Sequence, residues 1–207
     1  GEGEKFADMF AISKGLLAIR AGSSALYFYK LNERETIREP QGFDPSEGLI
    51  AYYPFDGDAL DMSGNGNHGT IHDAILGIDR NGENGKAYEF DGVNDYIKAI
   101  LKNAPIGSAD RTLSFWSKPF RESPTEVMVS MGRASTANAF GAYIAYDSKR
   151  EGVYFYGHGY PAHDFSSHFS IDANWHQYLI SMKENLITVF VDGKITASNT
   201  DRFLNTY

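Results

Sequence analysis

The chain has 207 residues, a formal net charge of −8 and a pI of about 5.2, which excludes a surface built to neutralise phosphates and, with it, nucleic acid as the expected partner. It has no cysteine, so disulfide frameworks and thiolate zinc sites are excluded, and no stretch is long and apolar enough to span a bilayer as a helix. Aromatic residues make up 14% and there are 21 glycines, a balance that favours short strands broken by turns.

The first residue is Gly1 rather than Met, which is expected of a processed form or a fragment. Phe6, Met9, Phe10, Ser13, Leu16, Leu17 and Arg20 fall at roughly helical spacing behind Glu2 and Glu4, and this predicts a short amphipathic helix. Lys14, Arg20 and Lys30 interrupt the apolar stretch 6–31, so it is a poor signal peptide. Residues 25–31 (ALYFYKL) read as a strand, 32–39 are charged and end at Pro40, and 41–47 form a linker. The expected division is an extension, or the tail of a preceding module, over 1–46 and a β-sandwich over 47–207.

From Gly48 onward the pattern is strand, turn, strand. An apolar strand over 48–55 leads into a polar, glycine-rich loop over 56–70. Segments 86–90 and 96–100 flank a turn at 91–95, where Gly92 supplies positive φ. Strands follow at 112–119, 126–131, 139–146 and 152–156; 175–182 and 186–191 pair as a hairpin, Asp192–Gly193 turns the chain, and 195–198 is a short strand. Many short strands with no helical pattern between them predict an all-β, two-sheet antiparallel sandwich. Trp116 and Trp175 sit at apolar-alternating positions and are expected in the core.

Three segments, in order, resemble the LamG-like jelly-roll family, related to laminin G modules, pentraxins and concanavalin A-like lectins. They are GLIAYYPFDGDALDMSGNGNHGTI (48–71), GKAYEFDGVNDYI (85–97) followed by TLSFWSKP (112–119), and NWHQYLISMKENLITVFVDGK (174–194). The resemblance implies a jelly roll, secreted or at the cell surface, that binds carbohydrate or an extracellular protein, often with calcium. That family usually continues past the DGK turn with two more strands, and segments 15–22 and 25–37 faintly resemble them. Three readings of residues 1–46 follow: the tail of a preceding module, strands that complete this sandwich, or a chance likeness in a helix packed against it.

Two segments carry the candidate chemistry. The loop holding Asp56, Asp58, Asp61, Asn65 and Asn67 offers oxygen donors and flexible glycines, so calcium at Asp58, Asp61, Asn65 and Asn67 is one reading. Turn capping by the same residue types is the other. The order of residues rejects an EF-hand. A second acidic cluster, Asp91, Asn94 and Asp95, reads first as turn chemistry. The segment 154–168 (YFYGHGYPAHDFSSH) gathers Tyr154, Tyr156, His158, Tyr160, His163 and Asp164, whose rings and polar groups suit a sugar; an ordered polar connection is the alternative.

No strand carries the alternating carboxylates of a sandwich glycosidase: Glu89 and Asp91 share a side, but no third acid follows in register. No G-x-S-x-G, P-loop or H-E-x-x-H occurs. His176 stands alone beside Trp175 and reads as structural. The expectation is a non-catalytic module that binds a glycan or an extracellular protein. The rivals are a polysaccharide hydrolase, lyase or accessory domain, with Tyr160 and His158 or His163 as its only constellation, and a structural adhesive repeat.

Overall fold

The computed structural model describes residues 9–12, 16–19, 26–29, 48–119, 125–132, 138–146, 151–157 and 163–200. These residues form strands and no helix. The strands are β1 (Met9–Ile12), β2 (Leu16–Ile19), β3 (Leu26–Tyr29), β4 (Leu49–Tyr53), β5 (Gly69–His72), β6 (Ile75–Ile78), β7 (Asn84–Glu89) and β8 (Tyr96–Ala99). They continue as β9 (Arg111–Ser117), β10 (Thr125–Gly132), β11 (Ala139–Tyr146), β12 (Glu151–Tyr156), β13 (Phe165–Phe169), β14 (His176–Lys183), β15 (Leu186–Val191) and β16 (Lys194–Thr200).

Two sheets form the sandwich. One runs β16-β15-β14-β9-β3-β4 and the other β10-β11-β12-β13, all antiparallel. Strand alternation supplies the core. Leu113 and Phe115 of β9, with Tyr178, Ile180 and Met182 of β14, project from the first sheet. Phe140, Ala142 and Ile144 of β11, with Val153 and Phe155 of β12, belong to the same cluster from the second. Arg111 closes one end of this core with its guanidinium over the Phe140 ring and donates to the carbonyls of Gly107 and Ala109. Burial pulls its pKa down to about 10.

The turns follow sequence chemistry. Lys183 pairs with Leu186, and the two residues between them, Glu184 and Asn185, have φ of 50° and 67°. Asp192 and Gly193, at 48° and 74°, join β15 to β16 in the same way. Two consecutive positive φ values mark the turn whose twist matches a hairpin.

Two expectations are corrected. The helix expected over 6–20 is, where described, the antiparallel pair β1 and β2, in register from Met9 opposite Ile19 to Ile12 opposite Leu16. Four-residue apolar runs such as MFAI and LLAI are too short for periodicity to separate helix from strand, and Gly15 falls between them. Neither tryptophan joins the core: both are half-buried, and the guanidinium of Arg80 stands 4.4 Å from the Trp116 ring.

Segment 1–46 contributes a strand to the main sheet. β3 lies between β9 and β4 and pairs with both, Tyr27 matching Ser114 on one side and Tyr52 on the other. Residues 56–110 carry two further ribbons, β5 with β8 and β6 with β7.

Candidate functional site

Three of the four residues expected to hold calcium, Asp61, Asn65 and Asn67, bond to the backbone of β4. The Asp61 carboxylate accepts from the amides of Tyr52 (2.9 Å), Ser63 (2.9 Å) and Asn67 (2.9 Å). Asn65 donates to the Leu49 carbonyl at 2.8 Å, and Asn67 donates to Ile50 at 2.8 Å while its side-chain oxygen accepts from Lys102 at 2.7 Å. Met62 donates its amide to the Tyr52 carbonyl, and the Tyr53 hydroxyl donates to the Asn67 carbonyl. The loop thus satisfies the backbone groups of β4 on the side away from β3, where a bare edge would otherwise invite pairing.

Asp58 stays exposed and accepts a local turn bond from Leu60 at 3.0 Å. As placed, Asp61 accepts from the Tyr52 amide and Asn67 donates to the Ile50 carbonyl, so both side chains bond to the backbone of β4. Among the described residues no group of three or more His, Asp or Glu side chains stands ready for a metal ion. Burial works to raise the Asp61 pKa, but bonds from Ser63, Tyr52 and Asn67 outweigh it and hold the carboxyl below its ordinary value.

The expected aromatic ligands are divided. Tyr154 and Tyr156 project from β12 on the face opposite the core, together with Tyr143 of β11. Tyr143 stacks on Tyr154 at 5.2 Å and meets Tyr156 edge-on at 5.7 Å. Tyr143 and Tyr154 are only 2% and 8% exposed, so neither ring offers an open face; Tyr156 is half-buried. Asp164 is buried and accepts from the Gly157 amide at 2.9 Å, a close approach that leaves no room for a Cβ at Gly157 beside the His163 carbonyl. Burial, then the Asp164 charge, raises the Tyr156 pKa. His163 is half-buried; His158 and Tyr160 lie outside the described residues.

Among the described residues, an open aromatic surface lies elsewhere. Register places His72 of β5 opposite Tyr96 of β8, and their rings stack at 4.2 Å. Tyr96 is 47% exposed, and Phe90, before the same turn, is exposed as well. Beside the stack Asn94 donates to the Asp73 carboxylate at 2.7 Å. The Asp91 carboxylate accepts from Val93 at 2.8 Å, and Asp95 accepts from the Asp91 amide at 2.9 Å, so the turn holds its own shape. An exposed ring beside an amide–carboxylate pair can stack on an apolar ring face and hydrogen-bond to hydroxyls. Sequence reasoning missed this platform because β5 lies at the end of a polar, glycine-rich loop. The one available signal was a histidine and a tyrosine flanking two turn-rich segments.

His176 is not solitary. Its Nδ1 lies 2.6 Å from Asp192 and its Nε2 2.8 Å from Asp172. Only the protonated ring can donate to both carboxylates. Burial works against that charge, but the bonds to Asp192 and Asp172 outweigh it and raise the His176 pKa above 6.5; bonds from Asn174 and His176 hold Asp172 down at about 2. A raised histidine pKa stabilises the fold fully below its unfolded value and loses that contribution as pH rises through the folded pKa. The melting temperature is therefore expected to fall by a few degrees as pH rises from 6.5 through the folded pKa, and His176→Gln should flatten this dependence. An NMR titration placing the His176 pKa at or below 6.5 would sink the prediction.

Among the described residues no helix is long and apolar enough to cross a membrane. Comparison with protein-family models, with curated proteins and with solved structures finds no match to this chain.

Proposed function

We propose that this chain is a LamG-like jelly-roll module, secreted or at the cell surface, that binds carbohydrate without catalysing a reaction. The observation that carries the reading is the exposed Tyr96 ring, stacked on His72 beside the Asp73–Asn94 pair. Stacked rings rigidify each other and keep the platform preorganised, which lowers the cost of ordering it on binding. The polar pair fixes orientation by offering an acceptor and a donor to neighbouring hydroxyls. The reading requires no calcium.

A glycan array tests this. Tyr96→Ala is expected to weaken binding of the best glycan about tenfold, the scale of one lost stacking contact of about 1.4 kcal/mol. Asn94→Ala should weaken it less. Unchanged binding by Tyr96→Ala, with loss by Tyr156→Ala, would move the site to the β12 face. Turnover of a polysaccharide by the unaltered chain would overturn the non-catalytic reading.

A further inference from the structure

We propose that the outer edge of β6 is a docking site for an extended protein segment that alternates apolar with basic residues and adds to the β6–β7 ribbon as a third strand. β6 is ILGI, and among the described residues it pairs only with β7. Ile75 and Ile78 are 62% and 57% exposed, and Leu76 is exposed too. Successive strand residues point to opposite faces, so Ile75 and Leu76 put an exposed apolar side chain on each face of the ribbon. A two-stranded ribbon is marginal alone and gains from a third strand.

Another edge is capped, whereas among the described residues nothing pairs with the outer side of this one. β4 is capped by Asp61, Asn65 and Asn67, as described above. β6, ILGI, has no charge and no proline, and among the described residues no side chain is seen to bond to its backbone. An unblocked apolar edge is the template that strand addition uses: backbone bonds give affinity, and alternate side chains give selectivity.

Charge decides the occupant. Exposed Asp73 precedes β6 by one residue beyond Ala74, and exposed Glu89 lies opposite Ile75 in the register. The Glu89 side chain reaches over Gly77, where a Cβ would meet its carboxylate at 2.5 Å. A carboxylate therefore sits over the middle of the strand. A second copy would bring the same acids to the same edge, in a chain of net charge −8, and like charges across a strand pair destabilise it. Lys or Arg on the incoming strand relieves that repulsion, and its apolar residues cover Ile75, Leu76 and Ile78.

The test is selection of a random display peptide library against the whole chain, followed by affinity and amide-exchange measurements with the enriched peptides. Enriched sequences should alternate apolar and basic residues. They should slow amide exchange in β6 and bind at least tenfold more weakly to the Ile75→Lys, Ile78→Lys double variant. Both replaced side chains are exposed, so circular dichroism and melting should match the parent. Exchange protection on the unaltered chain gives a readout that does not depend on the variant folding. Three results would overturn the proposal: no enrichment, enriched peptides that leave β6 exchange unchanged, or self-association that the double variant abolishes.

Discussion

Asp61→Ala is expected to lower stability by about 3 kcal/mol, because it orphans three partly or fully buried amides, each costing about 1–3 kcal/mol before any rewetting. The loss has a structural consequence beyond its energy. Tyr52 loses the partner that caps the β4 edge, and Ser63 and Asn67 lose the bonds that curl the loop back onto it. Asp61→Asn keeps one acceptor oxygen and should cost less. Urea denaturation measures both; a loss below about 1 kcal/mol for the alanine variant would show that water replaces the carboxylate freely. The same bonds set an acid limit. A carboxyl held below its ordinary pKa contributes stability above the unfolded value of 3.8 and loses it as pH falls through the folded value. Acid unfolding of the unaltered chain should therefore include a component that Asp61→Asn removes.

Tyr27→Pro is expected to be more disruptive, on the order of 3 kcal/mol or more, because proline lacks the amide and fixes φ inside a strand with neighbours on both sides. Tyr27 matches Ser114 of β9 and Tyr52 of β4, so its backbone lies in the interior of the six-stranded sheet. Losing β3 would leave β9 and β4 with facing, unpaired edges in the sheet that carries Leu113, Phe115 and Tyr53 into the core. Deletion of residues 1–47 is expected to abolish cooperative unfolding altogether. A truncated chain that melts as sharply as the parent would show that the sandwich stands without this strand.

These two predictions differ in how visible their basis was. The residues of the 61–67 loop stand out as aspartate, asparagine and glycine in close succession, but ion binding and turn capping use the same residue types. The bonds these residues make to β4 depend on Tyr52 and Ile50, which sit 9 and 17 residues from the groups that bond to them. β3 was legible as a strand from ALYFYKL. Its neighbours were not, since β9 lies more than eighty positions along the chain and the β4 pairing skips a register step.

The long strands and hairpin turns were readable because they are local. Alternation over six to eight residues in β11, β14 and β15 separates a core face from an outer face, and the turn residues at 184–185 and 192–193 supply the positive φ a hairpin needs. β5 and β6 were not readable, because GTIH and ILGI hold too few residues for alternation to rise above a polar, glycine-rich background. Exposure was hidden for a related reason. Tyr154 and Tyr96 are both tyrosines on strands, yet one is buried and the other open, and that contrast depends on what packs above each sheet. Local residue order is enough to say all-β, antiparallel and sandwich-like. Long-range packing assigns Asp61 to an edge, Tyr96 to the surface and His176 to a pair of carboxylates, because each of those roles is defined by a partner that the chain brings in from a distance.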